Sequence, residues 1–403
     1  MTATRVVNLD ALYREHAPAI TASLARSFGA RRLDLIEAAV QEAFVSAIES
    51  WGTDVPERPG AWLQVAARRR VIDALRRATW IAPSEELDQL EAPTAVPDRD
   101  EDLLKMMFVC CHPAIPLESA LALALRTLCG FPVPALCRAL RLNEAAVEKR
   151  LIRARQVLRE EHIELEPDGE LDVRVEGVMR TLYVLFLEGY SAHAGDTQID
   201  EDLCRTAIRL NAMLLASRFA TPAAHALHAL FLLQTARLAS RVDTAGDLIP
   251  LDRQDRSRWD RAMIADGFEH LGRAATGDVV SPFHLEAAIA ACHALAPTYE
   301  ATDWPQIVAL YDQLLALAPS PVIALQRAIA IGRAHGARAG LRALEGLVGN
   351  DRLEADPVLA AAIGELKAQR GDVRAARAAY RRALEFAGTS PERRFIEKQL
   401  EAL

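Results

Sequence analysis

Hydrophobic residues recur along this chain at the spacing of amphipathic helices, and no stretch of useful length alternates as a β-strand does. Residues 9–51 carry this pattern as two or three helices, and a stronger helix follows from about Ala61 to Thr79. The pattern resumes near Leu103, and from Leu171 onward it becomes a long series of Ala- and Leu-rich helices. The sequence therefore predicts an all-α protein.

Prolines and charged stretches divide the pattern into parts. Pro83, Pro93 and Pro97 interrupt a strip of acidic residues, which is typical of a flexible linker. Pro167-Asp168-Gly169 marks the next boundary. We predict two small helical domains joined by the linker, followed by a long helical domain, with the bounds 1–80, 81–102 (the acidic linker), 103–162 and 170–403.

The end of the chain shows a period. Pro321, Pro357 and Pro391 lie 36 and 34 residues apart, and a large residue precedes each by ten or eleven positions. A period near 34 residues with a helix pair per unit is typical of tetratricopeptide (TPR) repeats. The glycines and small residues of such repeats are patchy here, so a plain α-helical bundle is the alternative.

The charge is distributed unevenly. The 403 residues contain 47 Lys and Arg against 55 Asp and Glu, a net charge of −8. Residues 1–160 hold 21 of each sign, sorted into a basic block at Arg58–Arg77, an acidic block at Glu85–Asp102 and a second basic block at Arg138–Arg159. Two basic blocks predict two contacts with a polyanion. Solvated helix faces are the alternative.

Composition excludes several classes of protein. No apolar run approaches the ~18 residues that a membrane span needs, and the N-terminus lacks the apolar core of a secretory leader. Six cysteines without a C-x-x-C pair do not form a disulfide framework. We expect a cytoplasmic protein without membrane contact.

The first basic helix has one apolar side and one basic side. At ~100° per residue, Leu63, Ala67, Val71, Ala74 and Leu75 form a buried stripe. The other side contains Trp62, Arg69, Asp73 and Arg76, flanked by Arg68, Arg70 and Arg77. Arginines contact phosphates and base edges, and a tryptophan stacks on an unpaired base. Alternatively, Trp62 belongs to the core at the start of the helix.

The second basic helix follows a short helix and a tight turn, with Asn143 as its predicted N-cap. Its inner stripe is Val147, Leu151, Ala154 and Leu158. Helix, turn and basic helix together predict a helix-turn-helix, whose second helix enters the major groove. The residues predicted to face outward or flank that face are Ala145, Glu148, Lys149, Arg150, Ile152, Arg153, Arg155 and Gln156.

Three segments resemble a known family. Residues 147–155, VEKRLIRAR, resemble the V-x-x-R-L-x-R-A-R signature of extracytoplasmic-function (ECF) sigma factors of the sigma-70 family. Residues 61–77 resemble the A-W-L…A-R-N-R-x-I-D-x-L-R-R segment of these proteins, and residues 37–44 resemble their E-D-x-V-Q-E-x-F helix. The order and spacing match, whereas Ala38 and Arg69 depart from the usual Asp and Asn.

The resemblance implies an RNA polymerase sigma factor that directs promoter-specific initiation, with core polymerase and promoter DNA as partners. The 61–77 helix would contact the −10 element through Trp62, Arg68, Arg69, Arg70, Asp73, Arg76 and Arg77. The eight outward residues of the second basic helix would read the −35 element. Core polymerase would bind Glu37, Val40, Gln41, Glu42 and Phe44. The acidic linker would follow the path of the transcript in polymerase, or would be a solvated tether.

The long tail resembles a subgroup with a TPR-like extension, on the strength of residues 182–190, 303–306 and 391–395. Members of this subgroup are associated with small DGPF/YCII-type proteins. We expect the tail to regulate the sigma part, and we favour a positioning role over masking of the basic helices. Its closing segment, Pro391–Leu403, has the character of a docking helix.

The remaining chemical signals are weak. Cys110-Cys111-His112 has no second pair of ligands at metal-site spacing, and His225-x-x-His228 has no acidic partner. Nucleotide-binding, metalloprotease and nucleophilic motifs are absent from the sequence, so we expect no enzyme, no metal and no cofactor. The competing hypothesis is a TPR-type scaffold whose N-terminal region regulates DNA without joining RNA polymerase.

Overall fold

A computed structural model describes residues 9–51, 55–78, 99–140, 142–161, 163, 171–190 and 199–403. Every regular element in these residues is helical, apart from one isolated bridge between Val242 and Leu248. The all-α prediction is confirmed. Residues 79–98, which include most of the acidic linker predicted at 81–102, lie outside the described residues.

Among the described residues, eight α-helices lie in the first half of the chain. They are α1 (Leu9–Phe28), α2 (Leu33–Trp51), α3 (Pro59–Ala78), α4 (Arg99–Cys110), α5 (Leu117–Cys129), α6 (Val133–Leu140), α7 (Glu144–Glu160) and α8 (Leu171–Tyr190). Helix α4 begins four residues before the predicted start at Leu103, so the last residues of the predicted linker are helical. Asp102 is buried, and its carboxylate lies 2.8 Å from the Nε atom of Arg26 in α1.

Ten more helices follow among the described residues. They are α9 (Glu201–Ala216), α10 (Pro222–Thr235), α11 (Arg261–Ala274), α12 (Pro282–Leu295), α13 (Trp304–Leu317), α14 (Pro321–His335), α15 (Ala337–Glu345), α16 (Pro357–Gln369), α17 (Val373–Phe386) and α18 (Ser390–Glu401). The three periodic prolines lie at helix starts, where the missing N–H costs no hydrogen bond.

The chain forms two compact units, residues 1–184 and 185–403. The division falls within α8, later than the boundary predicted at Pro167. The first part of α8 packs closely on the end of α4: a Cβ at Gly177 would lie 3.0 Å from the carbonyl oxygen of Cys111, and Thr181 Oγ1 lies 3.4 Å from Cys111 Sγ. These contacts attach residues 171–184 to the first unit.

The first unit has one continuous core. Phe28 of α1, Leu63 of α3, Phe108 of α4 and Leu123 of α5 are all fully buried. The two small domains that the sequence predicts therefore pack against each other, with α1 lying along α4. The residues of the predicted DNA-binding helices are brought into a single compact unit.

The second unit is an array in which consecutive helices pack as neighbours. Helices α14 and α15 approach so closely that a Cβ on Gly340 would lie 2.7 Å from the Cα of Gly332. In the next pair, the ring of Tyr380 in α17 covers Gly364 in α16, at 3.1 Å from the position of a Cβ. The units that begin at Pro321 and Pro357 each contain two helices, with small residues where the paired helices touch, whereas Pro391 begins the single helix α18. The TPR-type repeat stays a prediction.

Candidate nucleic-acid interface

Helix α3 buries the stripe that its periodicity predicts. Leu63, Ala67 and Val71 are fully buried, and Ala74 and Leu75 are half-buried. On the opposite side, four charged residues of the predicted −10 set are exposed: Arg69, Asp73, Arg76 and Arg77. This face of α3 is therefore a basic surface on a helix whose other side is fixed in the core.

Two arginines of the same predicted set face the protein. The Arg68 guanidinium lies 5.5 Å from the ring centroid of Phe28. Arg70 lies 3.5 Å from the carboxylate of Glu42 in α2 and also donates to the hydroxyl of Ser46. These contacts arise because α3 packs on both α1 and α2, which the period of α3 alone does not indicate.

Trp62 lies at the edge of this surface. Its ring meets that of Trp51 edge to face, with centroids 5.2 Å apart, and the residue is half-buried. Trp51 belongs to the core. Trp62 thus packs on an aromatic neighbour on one side, while part of its surface remains accessible. The first feature is expected of a core residue, and the second is expected of a residue that stacks on a base.

Helices α6 and α7 form the predicted pair. The Asn143 side chain caps α7 by accepting a hydrogen bond of 2.9 Å from the backbone N–H of Ala146. The inner stripe of α7 is buried as predicted: Val147, Leu151, Ala154 and Leu158. The exposed residues of the predicted −35 set are Ala145, Glu148, Lys149, Ile152, Arg153 and Gln156.

The other two residues of that set are engaged within the first unit. Arg150 donates a hydrogen bond of 2.7 Å to Glu118 in α5. Arg155 donates to Glu37 of α2, and its Nε atom lies 2.9 Å from Asp34. The sequence placed Arg155 on a DNA-facing flank, whereas the structure turns it toward α2.

The predicted polymerase-binding residues of α2 separate into two groups. Glu37, Val40 and Phe44 are buried, and Phe44 packs on Tyr13 with ring centroids 4.9 Å apart. Gln41 and Glu42 are exposed. Val40 is thus buried and Phe44 packs against α1, and the expected contact of both residues with polymerase stays a prediction.

Sequence reasoning missed two exposed apolar residues on the outer side of α2. Val45 and Ile48 are 53% and 51% exposed. They lie one turn apart and within one or two turns of Gln41, so the outer face of α2 is part polar and part apolar. The sequence contains the pattern that could have indicated them, since apolar residues outside the buried stripe of a helix are candidates for a contact surface.

The discounted cysteine and histidine motifs are packed inside the units. Cys110 and Cys111 are buried, and burial raises the pKa of the Cys111 thiol to about 12. His225 and His228 meet a third histidine, His270 of α11, which the spacing along the chain does not reveal. In the described part of the chain, no group of three ligating side chains is arranged to hold a metal ion. No helix there is long and apolar enough to cross a membrane.

Comparison with known proteins identifies the first part of the chain. Residues 12–81, which include most of α1 and all of α2 and α3, match the family Sigma-70 region 2. The basic face of α3 thus lies within the segment that matches Sigma-70 region 2. The chain contains a sigma-70 region 2 domain. Proteins of the sigma-70 family are non-enzymatic transcription initiation factors, and region 2 implies binding to core RNA polymerase and promoter DNA.

Other parts of the chain match proteins of unknown function. Residues 174–275 match a family of unknown function, DUF6596, which includes α9 to α11. An uncharacterised protein of Rhizobium meliloti (strain 1021) is 37% identical over 399 residues, which is 96% of this chain and 93% of the relative. The similarity to this relative therefore extends over both matched segments and nearly all of the rest of the chain.

Proposed function

We propose that this sigma-70 protein is an ECF-type promoter-recognition subunit in which α3 contacts the −10 element and α7 reads the −35 element. The observation that carries the proposal is the arrangement that α3 and α7 share. Each buries an apolar stripe at helical spacing and presents basic side chains on its outer side. A rigid helix with an exposed basic face is the usual means of contact with phosphates and base edges.

Within this proposal, each exposed residue of α3 and α7 has a role in DNA binding. Arg69, Arg76 and Arg77 of α3 hold the phosphates near the −10 element, and Trp62 supports an unpaired base. Lys149, Arg153 and Gln156 of α7 enter the major groove at the −35 element, because they are exposed on one side of the helix.

The outer face of α2 is the proposed contact with core polymerase. Gln41 and Glu42 supply its polar part, and Val45 and Ile48 supply its apolar part. Interfaces between proteins commonly combine an apolar centre with a polar rim. The DGPF/YCII-type partner that the resemblance implies stays a prediction.

The tail, on this proposal, is a TPR-type array that positions the sigma part. Its support is the helix pair in the units that begin at Pro321 and Pro357, together with the contact between Gly364 and Tyr380. This contact joins a glycine of the first helix of a pair to an aromatic residue of the second helix, as in such repeats. A chain that ends before Pro167 would then lose promoter output although its first unit retains most of its core.

The test is reconstitution of the full chain with core RNA polymerase. We expect the mixture to select a DNA sequence from a random pool and to initiate transcription from it, which core alone does not do. Ile48→Asp should abolish co-purification with core, whereas Val279→Asp, at a position of 78% exposure in the second unit, should leave it intact. Selective DNA binding by the chain without core binding would favour the scaffold-type regulator instead.

A further inference from the structure

A small cavity lies in the second unit, where α10 and α12 pack side by side. It is lined by Gln234, Arg237, Trp259 and His293, and Leu233 with two alanines of α12 supplies an apolar wall. The cavity has a volume of about 200 Å³, which includes its opening to solvent. Pockets for drug-sized ligands measure ~300–1,000 Å³, so this cavity admits only a small ligand.

Arg237 is fixed beside the cavity by Tyr190, the last residue of α8. Its Nε atom donates a hydrogen bond of 2.8 Å to the Tyr190 hydroxyl, and its Nη2 atom donates to the same oxygen. A single oxygen thus orients the guanidinium, and the N–H groups on Nη1 have no acceptor among the described residues. A planar guanidinium with available N–H groups is suited to bind an oxyanion.

The positive charges of Arg237 and Arg256 form no ion pair with a carboxylate in the described part of the chain. Arg256 is 8% exposed, and its Nη1 atom donates hydrogen bonds of 2.6 Å to the carbonyl oxygens of His293 and Ala296. Glu300 acts on Arg256 only from beyond ion-pair distance. Because buried charges in proteins are usually paired, the two arginines leave a positive potential that an anion would balance.

His293 adds a neutral ring to the same cavity. Its Nδ1 atom is shielded from solvent and has no hydrogen-bond partner among the described residues. Burial, with Arg237 and Arg256 nearby, lowers the pKa of His293 to about 3, so the ring is neutral at physiological pH. A shielded polar atom without a partner destabilises a protein and is uncommon. An acceptor in the cavity would pair with an N–H at this nitrogen.

We propose that this cavity is a binding site for a small phosphate-type anion, with Arg237 and His293 as its hydrogen-bond donors. Two arginines without ion pairs match the charge of a phosphate, about −1.5 to −2 at pH 7, better than the single charge of a carboxylate. Arg237 donates from Nη1 and His293 donates from Nδ1, while Arg256 adds positive charge without lining the cavity. Trp259 and the apolar wall reduce contact with water, which strengthens the attraction between opposite charges.

The proposed site gives the second unit a ligand of its own, separate from the DNA contacts proposed for the first unit. Its measurement needs neither DNA nor polymerase, so the outcome is independent of the proposed promoter function.

Isothermal titration calorimetry of the full chain with inorganic phosphate tests the site. At constant ionic strength, we expect saturable binding of phosphate, and binding of acetate at least tenfold weaker. Arg237→Gln should weaken phosphate binding at least tenfold. Arg209→Gln, which removes an exposed arginine of α9, is the matched control and should change the affinity less than twofold. Absence of saturable phosphate binding, or acetate binding as tight as that of phosphate, would overturn the proposal.

A second variant separates ligand binding from folding, because Arg237→Gln also removes the hydrogen bonds to Tyr190. His293→Phe keeps an aromatic ring beside Trp304, whose ring centroid lies 5.3 Å from that of His293, and removes the unpartnered nitrogen. We expect the affinity for phosphate to fall at least threefold, while the melting temperature without phosphate does not fall. A lower melting temperature with an unchanged affinity would make His293 a structural residue and would overturn the proposed donor pair.

Methyl phosphate distinguishes the two sources of such an anion. Tighter binding of methyl phosphate than of inorganic phosphate would assign the site to the phosphoryl group of a small metabolite, and weaker binding would assign it to free phosphate. If both anions bind Arg237→Gln as tightly as the wild-type chain, they bind elsewhere, for example on the basic face of α3, and the proposed site is wrong.

Discussion

Arg394 in the last helix forms an ion pair with Asp247, a residue 147 positions earlier in the chain. Lys398, one turn further along α18, donates to the same carboxylate at 2.6 Å. Hydrogen bonds from Lys398 and Arg394 lower the pKa of Asp247 below its ordinary value. The end of the second unit is thus attached to its middle, as expected of a docking helix.

Breaking this attachment should release α18. We expect Asp247→Lys to accelerate proteolytic cleavage after α17 several-fold and to reduce promoter output, because Arg394 and Lys398 of the closing helix both lose their carboxylate partner. Combining it with Lys398→Asp should restore much of the protection. If Asp247→Lys is cleaved as slowly as the wild-type chain, the apolar packing of Ile396 holds α18 without the ion pairs.

The histidine cluster predicts acid sensitivity. Buried Asn211 donates to Nδ1 of His228 at 3.1 Å, and burial, with His270 and His225 nearby, lowers the pKa of His228 to about 4. The unfolded chain binds this proton near pH 6.5, so the stability contributed by neutral His228 is present above that pH and is lost as the pH falls toward 4. The loss should reach about 3 kcal/mol.

Urea unfolding of the second unit at a series of pH values measures this effect. His228→Gln should flatten the profile between pH 6.5 and 4, because an uncharged acceptor replaces the imidazole. His335→Gln, at an exposed position in α14, should leave the profile unchanged. Equal slopes for the two variants would assign the acid sensitivity to other groups, such as His293, whose pKa burial lowers to about 3.

Close packing in the array predicts opposite effects for two glycine-to-alanine changes. Gly340→Ala would place a methyl group 2.7 Å from Gly332 Cα, and we expect a loss of ~1–3 kcal/mol in the free energy of unfolding. Gly272→Ala has open space around its new Cβ and should gain about 0.5–1 kcal/mol from helix propensity. Chemical denaturation of both variants measures these changes in the free energy of unfolding. A higher free energy of unfolding for Gly340→Ala would contradict the close approach of α14 and α15.

Arg153 and Arg150 should differ in their effect on promoter recognition. Arg153 is exposed, so Arg153→Ala should cost ~1–3 kcal/mol of holoenzyme binding and relax the preference at one −35 position. Arg150 must leave Glu118 to reach DNA, so Arg150→Ala should cost less. Binding of selected and mutated duplexes measures both, and a uniform loss across sequences would reassign Arg153 to a phosphate contact.

Trp62 should act at promoter opening. Trp62→Ala should slow open-complex formation more than it weakens duplex binding, since stacking requires an unpaired base. A promoter with a pre-melted bubble should restore most of the activity. If the bubble gives no rescue and the melting temperature falls, the contact with Trp51 marks Trp62 as a structural residue.

Local pattern alone determined a large part of this protein. The inner stripes of α3 and α7 were readable because a helix repeats every 3.6 residues, so each sequence position has a fixed direction. Asn143 was readable as a cap because its carboxamide satisfies a backbone N–H within its own turn. The motifs for sigma region 2 were readable for the same reason, since their residues are close in sequence.

The tertiary structure decided which neighbour each face meets. Periodicity shows that a side chain points inward but not what lies opposite, and Arg155 meets Glu37 across 118 positions of chain. The same limit hid the meeting of His225 with His270 and the burial of Val40 and Phe44. These outcomes depend on how whole helices pack. Two residues far apart in sequence form a hydrogen bond only when the packing of their helices brings the donor and the acceptor within hydrogen-bond distance.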